Sequence, residues 1–308
     1  MALCLRLPGV MVGTEQGDER MGIYLETFSF PDAERETSYI MEVRRTCYAS
    51  FYPFKILSLR RFERIDFEPV TILYGGNGTG KSTALHVIAE KAHLEREAPY
   101  NRTSFMEDYV DMCGMTLRRP IPAGSCIITS DDVFDHMISV RELNEGIDRR
   151  REDVFNEYLE NRGARFQMSS MEDYDQLRKV VRARKRTQSA YVREELGMNV
   201  RTFSNGESAF RYFTNRITED RLYLLDEPEN SLSPARQMEL CQFLLDSARF
   251  MGCQFVISTH SPFLLSMRGA KIYDLDSDPV DVRPWTELEN VRAYYDFFKA
   301  HEREFQET

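Results

Sequence analysis

The sequence predicts an α/β protein whose main sheet is mostly parallel, because segments typical of strands alternate with segments typical of helices. The short β-branched run Val70–Tyr74 is followed by a glycine-rich loop and then by a helical pattern over residues 83–92. Later in the chain, an apolar run at residues 222–225 leads to a helical pattern from Pro234 and to a second run at Gln254–Ser258. Strands joined by helices in this way run parallel and are covered on both faces.

The segment before the glycine-rich loop, residues 22–73, is predicted to be rich in strands. Residues 39–43 form one of its short apolar runs, and Pro31-Asp32 supplies a turn between two of these runs. We therefore expect an N-terminal antiparallel β subdomain.

Residues 137–200 are highly charged, poor in glycine and proline, and rich in helix-favouring residues, which predicts an inserted helical hairpin or lid. The tail is expected to be an amphipathic helix that starts with a capping box at residues 286–289. The expected divisions of the chain are a disordered leader (1–20), a β region with the glycine-rich loop (21–136), the lid (137–200) and a C-terminal part (201–308).

The composition favours a cytoplasmic protein with a buried core. Of the 308 residues, 42% are hydrophobic, yet no uninterrupted apolar stretch is long enough to span a membrane, and the N-terminus does not resemble a secretory signal. The six cysteines show no CxxC pair or metal-ligand spacing, which predicts reduced and mostly buried thiols. A formal net charge of -10 argues against a general nucleic-acid binder but leaves room for a local basic patch.

Residues 75–82 fit the phosphate-binding pattern G-x-x-x-x-G-K-[ST] and stand between a predicted strand and a predicted helix, as that pattern requires. Glycines let the backbone aim its N–H groups at phosphates, and a helix N-terminus adds a favourable dipole. Lys81 can reach the β- and γ-phosphates, and the Ser82 hydroxyl can bind Mg²⁺. A chance glycine-rich turn is the alternative, which the flanking elements disfavour. The candidate nucleotide-binding residues of this loop are Gly75, Asn77, Gly78, Thr79, Gly80, Lys81, Ser82 and Thr83.

Residues 222–227 are predicted to form an apolar strand that ends in two acids beside the phosphate loop. Asp226 is suited to hold Mg²⁺ through water, and Glu227 is placed to polarise an attacking water as general base. Taken alone, such a run is more often a strand that meets solvent. Its pairing with the phosphate loop favours the functional interpretation.

Residues 256–262 are predicted to form a strand that ends at His260. A lone histidine at a strand end is usually structural or exposed. Here the strand is expected to lie beside the acid-bearing strand, which would place His260 near a γ-phosphate.

Residues 204–208 precede the acid-bearing strand and, by themselves, read as an ordinary turn that opens a helix. In this order, however, the four segments resemble the ABC ATPase superfamily from about residue 53 to residue 276. Residues 204–208 stand where the signature of that superfamily belongs, residues 230–233 where its D-loop belongs, and His260 where its switch histidine belongs.

The resemblance implies a head-to-tail homodimer that binds two ATP molecules between its copies, with hydrolysis to ADP and phosphate. A second helix N-terminus with a small residue and a glycine can approach a γ-phosphate closely. Each ATP would be held by Lys81, Ser82, Asp226, Glu227 and His260 of one copy and by Ser204 and Gly206 of the other.

The motifs depart from those of transporter ATPases, which usually read LSGGQ and DEPT or DEPS and carry a glutamine loop. This chain reads SNGES at residues 204–208 and DEPEN at residues 226–230, and it has no glutamine between Ser82 and Gln167. It therefore resembles the stand-alone SMC/RecF-type bacterial ATPases, which act in DNA repair, chromosome maintenance or phage defence. Asn101 and residues 130–132 are candidates for the place of the missing glutamine.

The segment from Arg178 to Arg193 is strongly basic in an otherwise acidic chain. On a helix, Arg178, Arg182, Lys185 and Arg193 would share a face. We favour a solvated helix face that balances nearby acids, and the alternative is a surface that docks nucleic acid or a partner protein. The basic residues of this segment are Arg178, Lys179, Arg182, Arg184, Lys185, Arg186 and Arg193.

The sequence thus predicts a cytoplasmic ATPase that acts on DNA, or in response to it, in repair or phage defence. The first alternative is an ATP-dependent switch for a separately encoded effector such as a nuclease or toxin. A transporter subunit is a further alternative, which the motif departures disfavour.

Overall fold

The computed structural model of the protein describes residues 22–43, 50–163, 174–185, 187, 191, 205–230 and 232–306. The expected disordered leader, residues 1–20, and the expected signature residue Ser204 lie outside these described residues. Within the described ranges, no helix combines the length and the apolar character that a membrane crossing needs.

The secondary structure alternates strands and helices along most of the chain. The strands are β1 (Leu25–Ser29), β2 (Arg64–Asp66), β3 (Val70–Tyr74), β4 (Gly114–Leu117), β5 (Cys126–Thr129), β6 (Leu222–Asp226), β7 (Gln254–Ser258), β8 (Lys271–Asp274) and β9 (Asp281–Val282). The helices are α1 (Ala33–Val43), α2 (Lys81–Lys91), α3 (Met106–Met112), α4 (Ser130–Gly163), α5 (Tyr174–Lys185), α6 (Asn205–Arg216), α7 (Pro234–Phe250), α8 (Pro262–Leu265), α9 (Glu289–Ala300) and α10 (Glu302–Gln306).

The main sheet has the strand order β5-β6-β7-β3-β8-β9, and all neighbouring pairs are parallel except the last. Every residue of β3 and of β7 is buried, because helices cover both faces of the sheet. Along β6 and β7 the side chains alternate between two cores: Leu224 and Val256 enter one, and Leu225 and Ile257 enter the other. The predicted α/β fold with a mostly parallel sheet is confirmed.

A second, smaller sheet has the order β2-β1-β4 with antiparallel pairing, as expected for the N-terminal part of the chain. The buried side chain of Gln254, at the start of β7, joins this sheet to the main one. Its Oε1 accepts hydrogen bonds from the backbone N–H groups of Tyr24 and Leu25, each at 2.9 Å, and its Nε2 donates to the Leu25 carbonyl at 2.8 Å. One side chain therefore satisfies three buried backbone groups of the edge where β1 begins.

The strand expected at residues 39–43 is wrong, since these residues form the end of helix α1. Asp32, expected in a turn, starts this helix, because its side chain accepts from the Arg35 N–H at 2.8 Å and its carbonyl from the Glu36 N–H at 3.1 Å. The apolar residues of the segment, Tyr39, Ile40 and Val43, all pack against the core, as the helical spacing i, i+1, i+4 requires.

Helices α4 and α5 pack against each other in the segment that was expected to form a lid. Lys179 pairs with Glu157 at 2.7 Å, and the Gln176 side chain donates to Asn161 at 3.0 Å, so the two helices run antiparallel. Tyr158, Ala183 and Tyr191 form a small core of their own. Helix α4 begins directly where β5 ends, and the division of the chain into domains remains a proposal.

The tail forms the expected amphipathic helix, α9, but without the expected capping box. Residues Trp285–Glu287 form a short 3₁₀ turn. Helix α9 starts after Leu288, whose side chain makes no capping hydrogen bond. Val291 is buried in the core, and Tyr295 and Phe298, which share its face of the helix at i+4 and i+7, are about half exposed.

We expect Gln254→Ala to lower the free energy of unfolding by about 3 kcal/mol, because it leaves three buried backbone groups without a partner. Urea denaturation followed by circular dichroism measures this loss. The matched control is Gln242→Ala on the exposed side of α7, which should change the free energy of unfolding by less than about 0.5 kcal/mol. Equal losses in the two variants would contradict the role assigned to Gln254.

Candidate nucleotide-binding site

The candidate site lies at one edge of the main sheet, where four parallel strands end together. Thr129 pairs with Asp226, Asp226 pairs with Ser258, and Ser258 pairs with Leu73 in the register of β5, β6, β7 and β3. The residues that follow these positions therefore leave the sheet side by side.

The phosphate loop joins β3 to α2 through a tight turn, in which the Thr79 hydroxyl donates to the Gly76 carbonyl at 2.9 Å. Gly80, the residue before α2, has a φ of 100°, in the left-handed region that favours glycine. A Cβ atom on Gly80 would lie 2.8 Å from side-chain atoms of both Ile56 and Leu57. The sequence pattern thus has a steric reason here: only glycine allows the N-terminal segment to pack this closely against the loop.

Lys81 is buried, and its ammonium group contacts three acceptors. It donates to the carbonyls of Gly75 at 2.8 Å and Gly76 at 3.1 Å, and it lies 2.8 Å from Nε2 of His260. Burial lowers the pKa of Lys81, and the negative charges of Glu227 and Asp226 oppose this shift. The ammonium nitrogen has three hydrogens, so these three partners use all of its donors.

The contact with Lys81 fixes the state of His260. An ammonium group can only donate, so Nε2 of His260 carries its lone pair toward Lys81 and the ring proton resides on Nδ1. Burial lowers the pKa of His260, and the positive charge of Lys81 lowers it further. Glu227 Oε1 lies 3.4 Å from the same Nε2, but with a neutral imidazole this contact is not an ion pair.

Ser82 and Asp226 bring two oxygen atoms together at the start of α2. The Ser82 hydroxyl lies 3.0 Å from Asp226 Oδ1, and the Ser258 hydroxyl donates to the same oxygen. Burial raises the pKa of Asp226, while the two hydroxyl donors oppose that rise. In the described residues no group of three or more His, Cys, Asp or Glu side chains could hold a metal ion alone. A single carboxylate with a hydroxyl suits Mg²⁺, which takes its remaining ligands from phosphates and water.

Glu227 has an unusual backbone, with a φ of 49° that non-glycine residues seldom adopt. Its N–H donates to the Ser258 carbonyl at 3.0 Å, which fixes the turn after β6 to β7. The carboxylate remains partly exposed, and Asn230 Nδ2 donates to its Oε2 at 3.2 Å. This carboxylate is therefore held beside Lys81 and His260 and is still open to water.

A cavity of about 400 Å³ lies next to Asp226 and contains the candidates for the place of the missing glutamine. Asn101, Ser130 and Asp131 all line it. Asp132 is committed elsewhere, because its carboxylate accepts from the Ala98 N–H at 2.7 Å and from the Thr129 N–H at 2.6 Å. Asn101, Ser130 and Asp131 remain candidates, and Asp132 serves to fix the start of α4.

Three residues that the sequence did not single out also contact the site. Asp276 accepts from the Gly76 N–H with both carboxylate oxygens, at 2.9 and 2.8 Å. Asn290, in the first turn of α9, donates to the His260 carbonyl at 2.9 Å. Glu229 accepts three hydrogen bonds from the loop that carries His260. The only sequence signal was the DEPEN departure, which contains Glu229.

Most of the predicted site residues lie around this edge of the sheet, and their roles remain proposals. Asn77 and Gly78 are exposed at the tip of the phosphate loop, whereas Thr79 and Thr83 are buried. Gly206 lies in the first turn of α6. The roles proposed for Gly206 and for Ser204 require a second copy of the chain.

The strand order, the phosphate loop and the acid and histidine strands agree with the arrangement expected from the resemblance to ABC-class P-loop proteins. A sequence family described as "AAA domain, putative AbiEii toxin, Type IV TA system" matches residues 139–266. The match covers less than half of the chain; it includes the acid-bearing and histidine strands and leaves out the phosphate loop. No curated protein matches this chain.

Several solved structures are similar to this chain at low identity. The Smc head domain from Pyrococcus furiosus, bound to the C-terminal domain of ScpA, has 14% identity and a TM-score of 0.42, with 90% of this chain and 99% of that chain covered. The SMC head domain from Thermotoga maritima has 13% identity and a TM-score of 0.37, with 85% and 99% covered. A dimeric ATP-binding cassette with bound ADP and phosphate has 13% identity and a TM-score of 0.34, with 73% and 90% covered.

We expect Lys81→Met to raise the pKa of His260 relative to the wild type, because it removes the positive charge that opposes protonation of the ring. NMR titration of the His260 imidazole signal, assigned with His260→Gln, measures this pKa. Lys91→Met, at the far end of the same helix, is the matched control and should leave the pKa of His260 unchanged. The same pKa in the wild type and in Lys81→Met would show that the ammonium does not face the imidazole.

Proposed function

We propose that the protein binds and hydrolyses ATP as a switch, at a site completed by a second copy of the chain. The observation that carries this proposal is the convergence of Lys81, Ser82, Asp226, Glu227 and His260 at one sheet edge, beside a helix N-terminus suited to phosphate. These side chains come from three separate segments of the chain, and each has the chemistry that phosphoryl transfer needs.

In this proposal, each side chain has a distinct role. Lys81 exchanges its contacts with the loop carbonyls for contacts with phosphate oxygens and neutralises their charge. Ser82 and Asp226 would hold Mg²⁺, which supplies further neutralisation of phosphate charge when bound. Glu227 orients and deprotonates the attacking water, and neutral His260, with its proton on Nδ1, fixes the position of Lys81 and Glu227.

The dimer is proposed from the resemblance to ABC ATPases, in which residues 204–208 stand where the signature belongs; these residues precede or open helix α6. A helix N-terminus with a glycine at Gly206 offers backbone N–H groups to an anion. We propose that this N-terminus of one copy contacts the γ-phosphate bound by the other copy. ATP would then be buried between the copies, and dimer formation would limit the rate of turnover.

We expect Lys81→Ala to lower the ATPase kcat/KM by at least about a hundredfold, because it removes the cation that stabilises the transferred phosphoryl group. Phosphate release by the purified protein measures this change, with Lys91→Ala as the matched lysine control on helix α2. Turnover that is the same in Lys81→Ala and the wild type would contradict the proposed hydrolysis.

We expect Glu227→Gln to accumulate as a dimer in the presence of ATP and Mg²⁺, because nucleotide binding is retained while water activation is lost. Size-exclusion chromatography with light scattering measures the mass. The double variant Lys81→Ala with Glu227→Gln should remain a monomer, since it cannot hold the phosphates. A Glu227→Gln protein that stays monomeric with ATP would contradict the sandwich.

The partner that the switch serves is proposed to be DNA, in repair or phage defence. Arg178 and Lys185 are exposed on one face of α5, and Arg182 lies between them on that face. Arg186 and Arg193 lie outside the described residues. Repeating the phosphate-release assay with single- and double-stranded DNA tests the proposal, and charge reversal at Arg182, Lys185 and Arg186 should abolish any stimulation.

The alternative is an ATP-dependent switch for a protein effector. The description of the matching family, which names a toxin of a toxin–antitoxin system, favours this alternative. Turnover that does not respond to DNA, together with an effector that co-purifies with the Glu227→Gln dimer, would support it. A transporter role is disfavoured because residues 204–208 and 226–230 read SNGES and DEPEN instead of the motifs usual in transporter ATPases. A membrane subunit encoded beside the protein would support that role.

A further inference from the structure

The loop that carries His260 is held by a single carboxylate oxygen from a neighbouring turn. Oε1 of Glu229 accepts from the Thr259 hydroxyl at 2.7 Å, from the His260 N–H at 2.7 Å and from the Ser261 N–H at 3.2 Å. Three donors on three consecutive residues therefore converge on one atom. A surface glutamate that happened to lie near the loop would not show such convergence, because each donor must be oriented toward the same point.

The second carboxylate oxygen of Glu229 faces the interior. Oε2 is buried, and no residue that the structure describes donates to it. Burial raises the pKa of Glu229, while the donors from His260 and Thr259 oppose the rise. Burial of a carboxyl oxygen without a hydrogen-bond donor destabilises the folded protein. Glu229 therefore does not serve merely as a charged surface residue, and its contacts with the histidine loop point to another role.

Glu229 also stands on the same turn as the candidate general base. Glu227 and Glu229 are two residues apart after β6, and the Glu227 N–H is bound to the Ser258 carbonyl. The turn after β6 and the loop after β7 are therefore joined twice, once through Ser258 and once through Glu229. Because of these ties, Glu227 and His260 cannot move apart without breaking the contacts of Glu229.

The carbonyl of His260 is held by a different element, helix α9. Asn290 Nδ2, in helix α9, donates to it at 2.9 Å, so side chains from two elements bind the two ends of the same residue. The imidazole of His260 reaches Lys81 across the site at 2.8 Å.

We infer that Glu229 is a positioning residue, which acts through the His260 backbone to hold the imidazole against Lys81 and Glu227. This inference rests on the proposed ATPase function and adds a residue to its machinery. Glu229 contacts no reacting atom, and what it supplies is a hydrogen-bond acceptor. A glutamine at this position keeps an acceptor oxygen at the same reach, whereas alanine or threonine cannot reach the three donors.

The test compares Glu229→Gln, Glu229→Ala and Glu229→Thr with the wild type in steady-state ATP hydrolysis. We expect kcat to fall at least about tenfold in the alanine and threonine variants while KM for ATP stays within about threefold, because the phosphate loop is untouched. Glu229→Gln should keep kcat within about threefold of the wild type, since its amide oxygen replaces the acceptor.

A second measurement does not depend on turnover. The ¹H–¹³C NMR signal of the His260 imidazole, recorded without nucleotide, should move or broaden in Glu229→Ala and Glu229→Thr and stay in place in Glu229→Gln. Circular dichroism of each variant shows whether it is folded. A variant that does not fold is set aside, and the Glu229→Gln arm still decides, because a loss of kcat there would overturn the acceptor role.

The outcomes separate this inference from the proposed function. An unchanged kcat and an unchanged His260 signal in folded Glu229→Ala or Glu229→Thr overturn the positioning role, even if the wild type hydrolyses ATP normally. Wild-type turnover that Lys81→Ala does not reduce overturns the ATPase proposal. In that case the NMR arm still reports whether Glu229 positions His260.

Discussion

Four parallel strands that end in register impose the constraint on which the candidate site depends. Thr129, Asp226, Ser258 and Leu73 occupy paired positions, so the loops that follow them start from one line. A slip of β7 by one residue would shift His260 by about 3.3 Å. It would also point each side chain of β7 to the opposite face of the sheet and so into the other core. Because β3 and β7 are buried on both faces, the two apolar cores oppose such a slip. The hydrophobic packing of the sheet and the geometry of the site are therefore set by the same register.

Within this frame, acidic side chains surround the buried ammonium group of Lys81. Lys81 is buried, which disfavours its charge, and it is surrounded by Glu227, Asp226, Asp276 and Glu229, which favour it. Its donors contact two loop carbonyls and a neutral imidazole. Phosphate oxygens carry more negative charge than any of these acceptors and form stronger hydrogen bonds with an ammonium group. The resting contacts keep Lys81 in place without competing strongly with an anionic ligand.

The sequence predicted the parts of the fold that depend on local pattern. The strands Val70–Tyr74 and Gln254–Ser258 and the start of α7 at Pro234 were found because apolar runs and turn residues mark them. The prediction failed at residues 39–43, where four apolar residues in a short segment fit a strand as well as a helix. The cap at Asp32, which decides for a helix, is seen only in the structure. Asp276 and Asn290 were missed because tertiary contacts bring them to the site from distant segments, and no local pattern records such contacts. Glu229 lies in the DEPEN segment, but its role was missed because the backbone group that it accepts from, at His260, is 31 residues away in the sequence.

The side chain of Gln254 links the small antiparallel sheet to the same strand that ends beside His260. A five-residue parallel strand spans about 13 Å between its first and last Cα atoms, and a strand buried on both faces is stiff along its axis. Strand β7 is paired along its length with β6 and β3 in the main sheet, and the side chain of its first residue, Gln254, binds the small sheet. The small sheet and the histidine loop are therefore attached to opposite ends of one buried strand of the main sheet.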